Sequence, residues 1–247
     1  MKKFLSICLV ALCSVSAMYA QTASTESRTE VPYTTNVSVE ATSKTGFYHF
    51  VEWQIKNGGN TLGIIAKDGT VSQGNGYEAT VSTQPTVDGT GNADGTGRET
   101  STLTLNPLGC DLVNAATSRT VTFEAIFDID SYTIEGTTEG GGSVEFNNNG
   151  TNTGTTTGDV AVTLTATTTD NCSEFDHWVD VETGATVPGK SDNEPHILVV
   201  TPQATWAHNS THTYKAVFGP KKVTITVTTA DDQKGTVKIL APAAPQQ

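Results

Sequence analysis

The sequence predicts an all-β fold built from small antiparallel-sheet units in tandem. The composition disfavours helices, because glycine is abundant (23 residues), methionine is scarce (2 residues) and threonine recurs throughout. Apolar residues alternate with mostly polar ones over short runs, as from Val160 to Ala166, which is the pattern of a half-buried strand. The third observation is an internal repeat that covers most of the chain.

The first twenty residues have the pattern of a bacterial export signal. Two lysines at positions 2 and 3 precede an apolar run from Phe4 to Leu12, which is too short to span a bilayer. Ala17 and Ala20 both offer cleavage sites, and we favour Ala20. We therefore expect residues 1–20 to be a signal peptide. The mature protein would be secreted or held at the cell surface, without a transmembrane segment.

The net charge limits the partners. The chain carries −12, and removal of residues 1–20 takes away two lysines and no acid, which leaves about −14. Such a charge would repel the phosphates of nucleic acid and anionic membrane surfaces. An extracellular protein or a glycan is the partner we expect.

Two segments of the chain repeat without a gap. The strand pattern Val-x-Val/Leu-x-Ala is followed by Phe-x-x-Trp in both, at a constant offset of 125 residues. The matched anchors are Val37, Ala41, Phe50 and Trp53 in the first segment and Val162, Ala166, Phe175 and Trp178 in the second. Because Phe and Trp three residues apart break strict alternation, we expect a bulge or a strand end there, with both rings facing one core.

A second set of anchors closes each unit. Thr122–Phe127 matches Thr213–Phe218 at an offset of 91 residues, and a new strand follows each, beginning at Tyr132 and at Val223. We predict about six strands in each full unit. The chain then divides into a linker (21–32), unit 1 (33–127), unit 2 (131–218) and a partial third unit with a tail (221–247).

These residues resemble the divergent internalin B-repeat, also called the Listeria–Bacteroides repeat. The residues that carry the resemblance are Gly142, Val162-Thr-Leu-Thr-Ala166, Phe175-Asp-His-Trp178 and Tyr214-Lys-Ala-Val-Phe218. Unit 2 matches the pattern throughout, unit 1 lacks the opening hairpin, and residues 221–247 match that hairpin alone. The resemblance implies a β-grasp-like fold, with at most a minimal helix, in surface proteins that act as stalks, spacers or adhesive modules. It implies no catalytic residues.

Unit 1 carries an insertion at about residues 57–100. It contains two strand-like runs, Thr61–Ala66 and Tyr77–Ser82. We expect an elaborated hairpin that extends the sheet, and a binding loop is the alternative. Within it, Asp88, Asn92 and Asp94 lie among glycines. These oxygens could bind calcium, but the EF-hand spacing fails, so we favour an ordinary turn.

Other candidate chemistry is sparse. His208 and His212 have the i, i+4 spacing of a helical metal site, but their segment looks like a turn entering a strand. We therefore expect no metal site, no cofactor and no catalytic residues. Trp206 has no counterpart in unit 1 and is the best candidate for a sugar-stacking platform. Cys110 and Cys172 occupy non-equivalent positions, so we expect them not to pair.

The function that these features predict is not enzymatic. We expect a secreted or cell-surface repeat protein that acts as an adhesion or spacer module through protein–protein contacts. The alternative is a carbohydrate-binding module of an extracellular glycan-processing system, for which Trp206 and the insertion of unit 1 are the candidate regions.

Overall fold

The fold is nearly all β, which confirms the predicted class. The computed structural model describes residues 5–11, 24–73, 78–87, 92–109, 112, 114, 116, 120–229, 236 and 238, with the backbone alone described over 5–11, 24–30 and at 73. Helical residues occur at Leu112 and Asn114, in the loop that precedes the last strand of unit 1. No helix in the described ranges is long and apolar enough to cross a membrane.

Unit 1 and the segment before it form two sheets. One has six strands in the order β2-β1-β9-β4-β5-β6, and the other has three in the order β3-β8-β7. The strands are β1 (Leu5–Ala11), β2 (Ser24–Val31), β3 (Val37–Thr42), β4 (Tyr48–Asn57), β5 (Asn60–Ala66), β6 (Val71–Gln73), β7 (Ala79–Pro85), β8 (Glu99–Leu105) and β9 (Thr120–Ile129).

Unit 2 also consists of a larger and a smaller sheet, and the strand order of the smaller sheet differs from that in unit 1. Its sheets have the orders β12-β10-β17-β14-β15 and β11-β13-β16. The strands are β10 (Ser131–Glu139), β11 (Gly142–Phe146), β12 (Thr153–Thr157), β13 (Val162–Thr168), β14 (Ser173–Asp180), β15 (Thr186–Val187), β16 (Ile197–Val200) and β17 (Thr211–Pro220). The eight strands exceed the six expected, because short strands such as β15 give little alternating signal.

The first and last strands of a unit lie side by side. In unit 2, β10 pairs with β17 in parallel, whereas the other pairings are antiparallel. In unit 1 the place of β10 is taken by β1, which pairs with β9 in parallel and with β2 antiparallel. The sequence predicts no opening hairpin for unit 1 and a linker over residues 21–32. In the structure, residues 5–11 take the place of β10, and residues 24–31 form β2, which pairs with β1 as β12 pairs with β10. No described residue of unit 1 takes the place of β11, which pairs with β13 in unit 2.

Each unit has its own core around the Phe-x-x-Trp anchor. The register shifts between Phe50 and Glu52, and again between Phe175 and His177, so the predicted bulge is present in both units. It brings Phe50 to 5.9 Å from Trp53 and Phe175 to 5.6 Å from Trp178, measured between ring centroids. Both tryptophans are fully buried.

The insertion extends both sheets of unit 1, but its two strand-like runs do not form a hairpin with each other, because β5 and β7 lie in different sheets. β5 pairs with β4, and β6 with β5, while β7 pairs with β8 along Ala79–Pro85. Val87 and Ala93 then form an isolated bridge that closes the turn.

The segment after unit 2 differs from the expected hairpin. Residues 221–229 form no strand, and the side chains of Val223, Ile225 and Val227 are 80%, 66% and 44% exposed. Most of the second expected strand, from Gly235, lies outside the described residues. Cys172 is a free, exposed thiol, and Cys110 lies outside the described residues.

Candidate functional site

A cleft of about 360 Å³ lies where unit 1 meets unit 2. It is lined by residues of the insertion, of the connection between the units and of the loop between β16 and β17. The lining residues that matter for its chemistry are His49, Asp94, Arg98, Asp130, Trp206 and His208. Because the copies of the repeat do not share these residues, the cleft is specific to this junction.

The connection between the units is a single residue, Asp130, between the end of β9 and the start of β10. Its peptide N–H donates to the carbonyl oxygen of Phe47 at 2.8 Å, and its own carbonyl accepts from the N–H of Gly158 at 2.9 Å. Asp130 is 4% exposed. Its position is therefore fixed from both units.

The loop before β17 is held against this connection. Asn209 adopts a left-handed conformation (φ 61°), and its N–H donates to the carbonyl oxygen of Ser131 at 2.8 Å. The hydroxyl of Ser131 donates in return to Oδ1 of Asn209 at 2.6 Å. The neighbouring His208 is thereby placed over Asp130.

The insertion of unit 1 also contacts this loop. A Cβ on Gly97 would stand 1.7 Å from the carbonyl oxygen of Ala204, and Gly97 has a φ of 72°. A Cβ on Gly46 would stand 2.7 Å from the same oxygen. Glycine is required at this contact because no side chain fits between the two backbones.

Two histidines and one carboxylate meet at the floor of the cleft. Nδ1 of His49 is 2.8 Å from Oδ1 of Asp130, and Nδ1 of His208 is 3.3 Å from the same oxygen. The two imidazole rings stack with their centroids 3.8 Å apart. Within the described residues, these three form the group whose ligand atoms could share one metal ion, all lying within 4.8 Å of one another.

Burial and charge set the protonation of this group. Loss of hydration lowers the pKa of His208 below its ordinary value, and the neighbouring His49 lowers it further. Burial, together with the negative charge of Asp130, raises the pKa of Tyr132 to about 12. His208 is therefore a neutral imidazole near pH 7, and Tyr132 keeps its proton.

Trp206 is half-buried, which limits its use as a sugar platform. One face stacks on His212, with ring centroids 3.5 Å apart, and Tyr132 contacts it edge-on at 5.6 Å. His212 in turn bonds Glu182 and the hydroxyl of Ser210. His212 and His208 thus contact different partners, as expected when their i, i+4 spacing is not helical.

The turn that contains Asp94 is closed by its own hydrogen bonds. The carboxylate accepts from the hydroxyl and the N–H of Thr96, at 2.5 and 2.9 Å, and from Nη2 of Arg98 at 2.8 Å. These bonds, the Thr96 hydroxyl first, lower the pKa of Asp94 to about 2. Asn92 is exposed near this turn, and Asp88 lies outside the described residues. The structure brings Asp94 and Trp206 to one cleft.

No model of a known protein family matches the chain, and no curated protein matches it. The assignment of a role therefore depends on the geometry of the units and the cleft. Sequence reasoning missed the group formed by His49, Asp130 and His208. Its members are 81 and 78 residues apart, and no local spacing signals their contact.

Proposed function

We propose that the protein is exported and acts as an adhesion or spacer module through protein–protein contacts, without catalysis. The observation that carries this proposal is the junction. Two units with similar larger sheets are joined by a single buried residue, and a glycine contact and hydrogen bonds tie their loops together. A fixed arrangement of its units is what a spacer or adhesin requires. The two lysines at positions 2 and 3 and the apolar run that follows them support export.

Two measurements test the proposal. The chain is expressed in a bacterial host, and its N-terminus is determined by mass spectrometry in the medium, on the surface and in the cytoplasm. We expect residues 1–20 to be absent and protease added to intact cells to digest the protein. A full-length chain confined to the cytoplasm would contradict export.

Binding is then measured with the purified chain on surfaces coated with extracellular proteins. We expect saturable binding that is lost when the coated surface is digested with protease. The test variant is Gly97→Val, whose side chain would displace the backbone of Ala204, at a position that belongs to neither hydrophobic core. A spacer that depends on its junction should lose binding or change its dimensions in solution scattering. Unchanged binding and unchanged dimensions would count against a rigid junction.

Carbohydrate binding is the second candidate, because Trp206 lines a cleft with polar neighbours. A glycan array tests it. Specific binding that falls at least tenfold in Trp206→Phe, with unchanged thermal stability, would favour this candidate over the first. Phenylalanine is the better replacement than alanine, since it preserves the contacts of Trp206 with Tyr132 and His212.

A further inference from the structure

We propose that His49, Asp130 and His208 bind a divalent transition-metal ion, with zinc as the best match, and that this ion fastens unit 1 to unit 2. Zinc takes imidazole nitrogen and carboxylate oxygen in tetrahedral sites, with bonds of about 2.0–2.2 Å. Ligand atoms at the corners of such a tetrahedron stand about 3.3 Å apart. The separations of 2.8 and 3.3 Å from Asp130 Oδ1 to the two Nδ1 atoms are close to that spacing.

The ligands come from separate parts of the chain. His49 lies on β4 of unit 1, Asp130 is the connection, and His208 is in a loop of unit 2. An ion held by all three would therefore crosslink the units. When the ion binds Nδ1 of His208, it replaces the 3.3 Å hydrogen bond that this nitrogen accepts from the N–H of Ser131. When it binds Nδ1 of His49, the proton on that nitrogen is released to solvent.

The fourth coordination position faces the cleft. Three protein ligands leave one position for water or for a donor atom of a bound molecule. His49 and His208 have side chains that are 21% and 34% exposed, so an ion can enter from solvent, while the Asp130 side chain is 6% exposed. A buried carboxylate aimed at two imidazoles is the kind of group that a cation stabilises.

The test is calorimetric titration of the untagged full chain with zinc chloride. We expect one ion per chain and a rise in melting temperature on addition of zinc. His49→Ala, His208→Ala and Asp130→Asn should each weaken binding at least tenfold and abolish that rise. Cys172→Ser and His177→Ala are the controls, because both residues offer exposed zinc ligands away from the cleft, and both variants should bind as the parent does.

Circular dichroism verifies that each variant is folded, so that lost binding reports the site. Chemical shifts of the imidazole rings give a second measurement on the parent chain, since those of His49 and His208 should change together at one equivalent of zinc. Absence of binding would overturn the proposal, and the group would then be a hydrogen-bonded junction only. Binding that persists in the three ligand variants, or that is lost in Cys172→Ser, would also overturn it.

A second inference has an independent basis in the topology. Val121 of β9 and His212 of β17 are equivalent at the offset of 91 residues. In the parallel pairings, Val121 lies opposite Ile7 of β1, and His212 lies opposite Ile134 of β10. Strand β1 therefore has the register of the first strand of a unit. Residues 223–227 hold the same place in the repeat, since Ile225 is equivalent to Ile134.

The three segments share one alternating apolar pattern: Leu5, Ile7 and Leu9; Tyr132, Ile134 and Gly136; Val223, Ile225 and Val227. In unit 2, Tyr132 and Ile134 are 1% and 0% exposed, whereas Val223 and Ile225 are among the most exposed large apolar side chains in the described residues. The segment after unit 2 thus has the sequence of a first strand, and within the described part of the chain no strand pairs with it.

We infer that residues 221–229 of one copy pair in parallel with β9 of a second copy, in the place of β1. The inference rests on the proposed function, because export removes residues 1–20 and leaves the edge of β9 open. An open edge presents unpaired N–H and C=O groups that an added strand can satisfy. Ile225 would lie opposite Val121, and Val223 and Ile225 would become buried. Such a contact joins copies head to tail.

The test uses the processed chain, residues 21–247, and measures its mass by light scattering over a range of concentrations. We expect dimers and longer species that dissociate in Ile225→Glu. The control is Thr226→Glu, on the opposite face of the segment, because its equivalent in unit 2 is Glu135 and that strand accepts the charge. The unprocessed chain, whose β9 edge is covered, should remain monomeric.

The outcomes separate this inference from the proposed function. A processed chain that is exported but monomeric at every concentration leaves the function standing and overturns the pairing. Equal loss of assembly in Ile225→Glu and Thr226→Glu would also overturn it, as would protection of residues 221–229 from hydrogen exchange in a monomer. An exported protein that retains residues 5–11 also overturns the pairing and leaves the proposed function standing, because β1 then keeps its place beside β9.

Discussion

The buried tryptophans provide a matched experiment within one chain. Trp53 and Trp178 occupy equivalent positions, and both are 0% exposed. Nε1 of Trp53 donates to the hydroxyl of the buried Ser101 at 3.0 Å, whereas Nε1 of Trp178 has no hydrogen-bond partner among the described residues. Substitution by phenylalanine removes similar packing in both units, but it removes a hydrogen bond in unit 1 alone.

The difference can be given a magnitude. Trp53→Phe removes the 3.0 Å donor of the buried Ser101 hydroxyl and leaves it the longer 3.4 Å bond from the hydroxyl of Thr83, so the cost beyond the lost packing is that of one net hydrogen bond, about 0.5–1.5 kcal/mol. Trp178→Phe deletes an unpaired N–H, so no such penalty applies. We therefore expect Trp53→Phe to lower the free energy of unfolding of unit 1 by about 0.5–1.5 kcal/mol more than Trp178→Phe lowers that of unit 2.

The assay is urea unfolding followed by hydrogen exchange with mass spectrometry. Peptides from β4 and β14 report unit 1 and unit 2 separately, which fluorescence cannot do once the tryptophan of unit 1 is gone. A double-mutant cycle with Ser101→Ala isolates the bond. Ser101→Ala alone should destabilise unit 1, and the double variant should cost less than the sum of the two. Equal losses in both units, or strict additivity, would refute the reasoning.

Two further predictions concern local contacts. The carboxyl of Asp94 should titrate near pH 2 in a carbon NMR titration, and Thr96→Ala should raise that pKa toward the ordinary 3.8, because the Thr96 hydroxyl is the main cause of the shift. Since folding lowers the pKa of Asp94, the ionised carboxylate stabilises the folded state above pH 3.8, and this stabilisation is lost as the pH falls through about 2. An unchanged pKa of Asp94 in Thr96→Ala would refute the assignment of the shift to the Thr96 hydroxyl. Gly142→Ala should destabilise unit 2 by about 1–3 kcal/mol in thermal unfolding, because its Cβ would lie 2.1 Å from the ring of Phe218. Gly219→Ala, with nothing within 4 Å, is the control and should change little; equal effects would show that the clash is relieved at no cost.

The repeat made much of the fold predictable. Alternation located the main strands, and the break in alternation at Phe-x-x-Trp indicated the bulge that both units contain. Pairing across the chain was not predictable, because alternation identifies the faces of a strand but not its neighbours. The parallel pairing of β10 with β17, and the place of β1 beside β9, depend on contacts more than 70 residues apart.

The candidate site was predictable only in part. Trp206 and Asp94 stood out because the copies do not share them, and the structure places both in the cleft. The interpretation of Trp206 as an open platform did not anticipate His212, which covers one of its faces at a centroid distance of 3.5 Å. Residues such as His49 drew no attention, since a lone histidine beside a strand anchor has no local signature.

The equivalences of the repeat also limit where this junction chemistry can recur. His49 corresponds to Glu174 at the offset of 125 residues, and Asp130 corresponds to Lys221 at the offset of 91. The positions that hold an imidazole and a carboxylate at the junction of units 1 and 2 thus hold a carboxylate, Glu174, and an ammonium group, Lys221, after unit 2. A cation that binds the first junction would be repelled by Lys221 at the second. The group is therefore a property of one junction and not of the repeat, which is the pattern expected of a feature that was added to a shared scaffold.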